Sequence, residues 1–117
     1  MNFKFKKEKS FEERKAEFDR VTSEHPKKVP IICEKASNSR INNLDKTKYL
    51  VDESLSLPQF TTTIKRKLEM DENEALFLLA NGKITLPQNE TIGIIYKKYK
   101  DKDGFLYIAY AAEEIWG

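Results

Sequence analysis

Cysteine and histidine are almost missing from this sequence: Cys33 and His25 are the only examples among 117 residues. A single thiol excludes an intramolecular disulfide and fits a reducing compartment. One cysteine and one histidine cannot supply the ligand set of a Cys/His zinc site. Long apolar runs are missing too, since no stretch approaches the roughly 20 residues that a membrane-spanning helix needs. Any membrane role must therefore come from covalent attachment or a peripheral surface. The opening Met1-Asn2-Phe3-Lys4-Phe5-Lys6-Lys7 lacks the apolar run of a secretory signal, so a cytoplasmic location is expected. No segment repeats and none is low-complexity.

What is present is a globular composition, with 39% hydrophobic and 34% charged residues at a length suited to one domain. The net charge of +2 hides an asymmetry. Residues 1–67 hold 16 Lys/Arg against 10 Asp/Glu, whereas residues 68–117 hold 5 against 9. A basic front half could meet acidic peptides, lipid headgroups or nucleic acid, or be a solvated face.

Ser10-Phe11-Glu12-Glu13 has the form of a capping box, which predicts a helix from Phe11 to about Glu24. Its stripe of Phe11, Phe18 and Val21 is narrow, as for a helix lying on a body. Pro26 stops it. Phe3 to Lys9 reads as a further short helical turn. Lys28 to Lys35 reads as a strand, with Val29, Ile31 and Cys33 on one face and Pro30 and Ile32 on the other. Pro30 has no amide donor, so one side of that strand must lack a partner there. Lys48-Tyr49-Leu50-Val51 is a second strand.

Ser56-Leu57-Pro58-Gln59 repeats the capping logic, and Leu57, Phe60, Ile64 and Leu68 then form an amphipathic helix. Ala75 to Ala80 is a short strand that Asn81-Gly82 turns. Ile92, Ile95, Tyr96 and Tyr99 suggest another helix. Gly104 opens a last strand, Phe105 to Tyr110, which is apolar on both faces and so expected to be central. The order predicts an α+β fold: a four-stranded mixed sheet crossed by one long helix, with two helices in front.

The chain resembles the autophagy-related protein 8 family, which includes the gamma-aminobutyric-acid receptor-associated protein and the microtubule-associated light chain 3 group. The resemblance runs through Phe11-Glu12, Arg14, Pro26, Val29-Pro30, Ile32, Glu34-Lys35, Ile41 and Leu44-Asp45-Lys46. It continues through Lys48-Tyr49-Leu50-Val51, Gln59-Phe60, Ala75-Leu76-Phe77, Phe105 to Tyr110 and Trp116-Gly117. The fold it implies is a ubiquitin-like β-grasp over residues 27–111, with a helical extension at 1–26 and a flexible conjugation tail at 112–117. The activity it implies is that of a modifier, not a catalyst. An E1-like enzyme activates the terminal glycine, an E2-like enzyme carries it, and it is amide-linked to phosphatidylethanolamine on autophagosome or related vesicle membranes. A cysteine protease processes and deconjugates such proteins.

Carried onto this sequence, the resemblance makes Gly117 the conjugated residue. A terminal glycine, lacking a Cβ, suits a narrow catalytic tunnel. Whether Gly117 is the native end or is exposed by processing stays open. The resemblance also implies recruitment of cargo receptors through aromatic-x-x-aliphatic motifs that add a strand to the edge Lys46 to Val51. The aromatic pocket would be Glu17, Val21, Pro30, Ile32, Lys48, Leu50 and Phe105. The aliphatic pocket would be Tyr49, Val51, Leu55, Phe60 and Ile64, although plain core packing explains Phe60 and Ile64 equally well. Lys28, Lys46 and Lys67 would form an electrostatic rim, and Phe77, Leu79 and Trp116 would meet the protease, although plain core packing explains Phe77 and Leu79 equally well. No metal and no cofactor is expected. Cys33 falls mid-strand, which argues against a nucleophile paired with His25.

Departures cluster at the second pocket. Asp52 stands where a proline is common, Thr63 where a larger apolar residue is usual, and one extra residue lies between Lys83 and Glu90. These predict altered partner choice. Conjugation to protein lysines is the alternative modifier chemistry, whereas nucleic-acid binding lacks the clustered cations and stacking aromatics it would need.

Overall fold

The computed structural model describes residues 1–112. Nine elements follow in chain order: α1 (Lys4–Glu8), α2 (Phe11–Glu24), β1 (Lys28–Lys35), β2 (Lys48–Asp52), α3 (Leu57–Lys67), β3 (Phe77–Ala80), β4 (Ile84–Thr85), α4 (Ile92–Tyr99) and β5 (Leu106–Ala111). Both capping boxes form. Ser10 N donates to Glu13 Oε1 at 2.8 Å while Ser10 Oγ accepts from Glu13 N, and Ser56 and Gln59 repeat the exchange at α3. Each satisfies two amides that a helix start leaves orphaned. Thr91 caps α4 through the Ile94 amide.

The sheet order is β2-β1-β5-β3-β4, with β1 and β5 parallel and all other pairs antiparallel. β5 is central and buried along its whole length, as its two-faced apolarity required. Alternation divides the core in two. Val29, Ile31, Cys33, Leu106, Ile108 and Tyr110 face α3 and α4, together with Leu57, Phe60, Ile64, Ile92 and Ile95. Ile32, Phe105, Tyr107, Ala109 and Ala111 face the other way and are covered by Phe3, Phe5 and Phe18. Cys33 N donates to Thr47 O, toward β2, and Ala36 N donates to Tyr110 O, toward β5. By the same alternation the missing donor of Pro30 falls on the β5 side, where pairing starts only at Ile31 with Leu106.

The sheet has five strands, not the expected four. Asn81 and Gly82 both take positive φ, +55° and +73°, and turn the chain back into β4. β4 is two residues long with both side chains exposed, so it carries no apolar alternation to read. β3 also starts two residues later than expected, because Ala75 is exposed and Leu76 only half-buried.

The helices in front are held by polar contacts that cross long stretches of chain. Glu34 on β1 accepts from the amides of Lys4 at 2.7 Å and Phe5 at 3.1 Å, closing the N-terminus of α1. Phe3 and Phe5 then pack edge-on against Tyr107 and Phe105. On α2 the inward residue is Arg14, 9% exposed, whereas Phe11 is 42% exposed. Arg14 Nε donates to Asp103 at 2.8 Å, Tyr107 OH donates to the same carboxylate oxygen, and Phe105 N donates to the other at 2.9 Å. Asp103 is fully buried. Desolvation lowers the Arg14 guanidinium pKa, but the Asp103 bond and the surrounding negative charges together outweigh it and raise it. Burial and the Asp103 bond push the Tyr107 phenol up.

Candidate functional site

β2 is an outer strand, so one of its sides has no neighbour in the sheet among the described residues. Pairing of Ile31 with Tyr49 and Val29 with Val51, together with the Cys33–Thr47 bond, turns the backbone groups of odd-numbered residues toward β1. The amides and carbonyls of Lys48 and Leu50 therefore point outward, free to bond an added strand. Their side chains lie on the α2 side of the sheet, opposite Ile32 and Pro30, and Tyr49 and Val51 lie on the α3 side. One edge thus separates two sets of side chains.

On the α2 side, Ile32 and Phe105 are buried floor, with Phe105 wedged between Phe5 and Phe18 at ring distances of 5.2 and 6.0 Å. Leu50 and Val21 are half-buried walls and Pro30 is buried. Glu17 bridges two cations: Oε1 to Lys9 at 2.7 Å and Oε2 to Lys48 at 3.0 Å. Lys48 also lies over the Phe5 ring at 5.1 Å. Lys9 has no signal in the sequence, because it lies eight residues from Glu17 across a helix break. Desolvation pushes the Glu17 carboxyl up, but the two lysine bonds outweigh it and hold the group below its ordinary value of 4.5.

A carboxyl depressed in the fold stabilises fully above that ordinary value and ceases to as pH falls through the depressed one. Glu17→Gln is therefore expected to lower stability at neutral pH and to flatten part of the acid limb, the difference shrinking as pH falls below about 4.5. Urea unfolding across that range checks it; an unchanged acid limb would mean the bridge is not maintained in solution.

On the α3 side, Phe60 and Ile64 have no exposed surface and are floor. Tyr49 stands edge-on to Phe60 at 6.1 Å and donates its OH to Lys46 O at 2.7 Å. Burial lifts its phenol to about 12. The ammonium groups of Lys46 and Lys67 lie 5.9 and 5.8 Å from the Tyr49 ring centroid. Beside these residues opens a hollow of about 340 Å³ lined by Leu55, Pro58, Gln59, Thr62, Thr63 and Arg66. Of that set, the sequence marks Leu55 as pocket-forming and Thr63 as a departure at the same pocket. Thr63 donates its hydroxyl to Gln59 O at 3.0 Å, and Thr62 to Pro58 O at 2.9 Å. The hollow exists where side chains longer than threonine would reach into it. Asp52 is exposed, fixed by Ser54 N and Oγ at 2.9 and 2.6 Å, and registers opposite Lys28.

Phe77 and Leu79 lie on β3, three strands away from β2. Phe77 is half-buried and Leu79 is 3% exposed. Trp116 and Gly117 lie outside the described residues. Cys33 is fully buried and its thiol is pushed up by burial, which keeps it protonated at neutral pH. Among the described residues no His/Cys/Asp/Glu group could hold a metal ion, and no helix is long and apolar enough to cross a membrane.

Comparison with known proteins places this geometry in context. The family model described as "Autophagy protein Atg8 ubiquitin like" matches residues 13–117. Autophagy-related protein 8 of Vanderwaltozyma polyspora is 40% identical over 118 residues, covering 100% of this chain and 98% of the relative. Its namesake from Saccharomyces cerevisiae strain YJM789 is 41% identical over 118 residues, covering 100% and 99%. The crystal structure of Trypanosoma brucei ATG8 matches with a TM-score of 0.90 at 38% identity, covering 100% of both chains.

Proposed function

Because the chain belongs to the Atg8 family of ubiquitin-like autophagy proteins, we propose that it is a modifier joined through Gly117 to phosphatidylethanolamine on autophagic membranes. Its β2 edge then recruits cargo receptors that present an aromatic-x-x-aliphatic motif. E1-like and E2-like enzymes carry the glycine through thioesters to the lipid amine, and a cysteine protease reverses the linkage. The chain contributes an acyl group and a docking surface, and the enzymes contribute the catalysis. It moves accordingly between cytoplasm and vesicle membrane.

The observation that supports recruitment is the β2 edge itself. The backbone groups of Lys48 and Leu50 face outward while half-buried Leu50 and Val51 flank them on opposite faces of the sheet. A strand laid there would place residues i and i+3 of its motif over different faces, one toward Leu50 and Val21 and the other toward Val51 and Leu55. The lysines near the edge favour acidic flanking residues mainly through the association rate.

The second pocket offers less apolar contact and so a different partner choice, because Thr63 stands where the family usually has a larger apolar residue and Asp52 adds a negative charge. Calorimetric titration with a motif peptide tests both parts. Leu50→Ala is expected to weaken binding roughly tenfold or more, because less apolar surface leaves water when the peptide docks. Thr63→Leu with Asp52→Pro is expected to strengthen it by about 1–2 kcal/mol. No loss of affinity in the first variant would remove the edge from the account, and no gain in the second would remove the tuning.

A further inference from the structure

β5 is the strand from which the chain runs on to Gly117, and its neighbour β1 leaves it before it ends. The parallel register sets Lys35 beside Tyr110, and Ala36 N then donates to Tyr110 O at 2.9 Å. A regular parallel ladder would next join Ala112 N to Ala36 O. That carbonyl instead accepts from Ser39 N at 3.1 Å, because the chain turns between Ala36 and Ser39. Ala112 N donates to the Ser39 hydroxyl oxygen at 3.3 Å. Ser39 thus takes up the backbone acceptor and supplies a side-chain oxygen in its place.

Ser39 is only 7% exposed, although it is polar and sits in a loop. Its oxygen also accepts from Ile41 N at 3.5 Å. The rest of the loop has a separate anchor, since Tyr110 OH accepts from Leu44 N at 2.8 Å and donates to Asn42 O at 3.2 Å. Without the Ser39 hydroxyl the loop would keep that anchor, whereas Ala112 would lose its partner on the β1 side. On the β3 side the register ends one residue earlier, at Ala111 opposite Phe77. Gly117 is five residues beyond Ala112. Five residues span at most about 18 Å, so the last fixed point limits where a terminal carboxylate can go.

We propose that Ser39 is a positioning residue for conjugation, its hydroxyl fixing the point at which the chain leaves the body toward Gly117. This role rests on the reading of Gly117 as the acyl donor. An enzyme that grips the folded body then finds the donor starting from one place, and less freedom is lost in reaching the reactive geometry. The effect falls on turnover of the bound complex more than on its formation. Amide hydrogen exchange and activation kinetics of the full, unconjugated chain test it. In Ser39→Ala the Ala112 amide should exchange about two- to tenfold faster, as expected for the loss of one hydrogen bond. With the cognate E1-like enzyme and ATP, thioester formation at Gly117 should lose about two- to fivefold in kcat with KM unchanged.

Ser39→Thr keeps the oxygen and should stay within about twofold of wild type in both measurements. Thr91→Ala removes the α4 cap and so lowers stability elsewhere, and it should move neither. Far-UV circular dichroism and retained motif-peptide affinity establish that the variants fold. An unchanged Ala112 exchange rate in Ser39→Ala would overturn the role, as would an unchanged kcat or an effect confined to KM. So would a Ser39→Thr as slow as Ser39→Ala, or equal losses in Ser39→Ala and Thr91→Ala. A wild-type chain that forms no thioester would instead overturn the reading of Gly117, and the role of Ser39 with it.

Discussion

Asp103→Ala is expected to lower stability by about 3–5 kcal/mol, the range for removing one partner of a buried ion pair. The cost comes less from the lost attraction than from what stays behind. Arg14, 9% exposed, would keep a guanidinium with no carboxylate beside it. The Tyr107 hydroxyl and the Phe105 amide would lose their acceptors in the same step. Removing both charges should therefore be milder than removing one, and Asp103→Ala with Arg14→Leu should recover part of the loss. Urea unfolding of the two variants measures this. A single-variant loss under about 1 kcal/mol would mean that the site relaxes or takes in water.

Gly104→Ala is expected to cost about 2–4 kcal/mol, from two independent causes. Gly104 has φ +101°, a conformation that side chains with a Cβ rarely adopt. A Cβ there would also sit 2.5 Å from the Phe18 ring, so α2 would have to lift from the sheet. Lifting α2 moves Phe18 off Phe105 and carries Glu17 and Val21 with it. The substitution should consequently reduce motif-peptide affinity as well as stability, although Gly104 is not among the candidate pocket residues. Loss of stability with peptide affinity intact would separate α2 from the docking surface.

These two positions also mark what a sequence can and cannot disclose. The capping boxes at Ser10–Glu13 and Ser56–Gln59 were legible because both partners lie within four residues. The centrality of β5 was legible because apolar side chains at every position leave no face for water. The division of Lys48 and Leu50 from Tyr49 and Val51 follows from strand alternation alone. Contacts between distant residues were not legible. Arg14 meets Asp103 across 89 positions and Glu34 meets Phe5 across 29, with no periodicity linking them. β4 escaped because its two residues bury nothing. The hollow beside Leu55 was legible only at Thr63, through the family resemblance; Pro58, Gln59, Thr62 and Arg66 escaped because their placement around it leaves no pattern in the sequence.

The central claim is chemical, and it concerns what is attached to Gly117. The most direct measurement is the mass of the C-terminal peptide from the membrane-bound protein, with and without phospholipase treatment. The account predicts one adduct family on the Gly117 carboxyl, with the mass of phosphatidylethanolamine and cleaved by the phospholipase. A linkage to protein lysines, resistant to the enzyme and variable in mass, would contradict it. So would attachment to autophagic membranes that resists high salt after Gly117 is deleted.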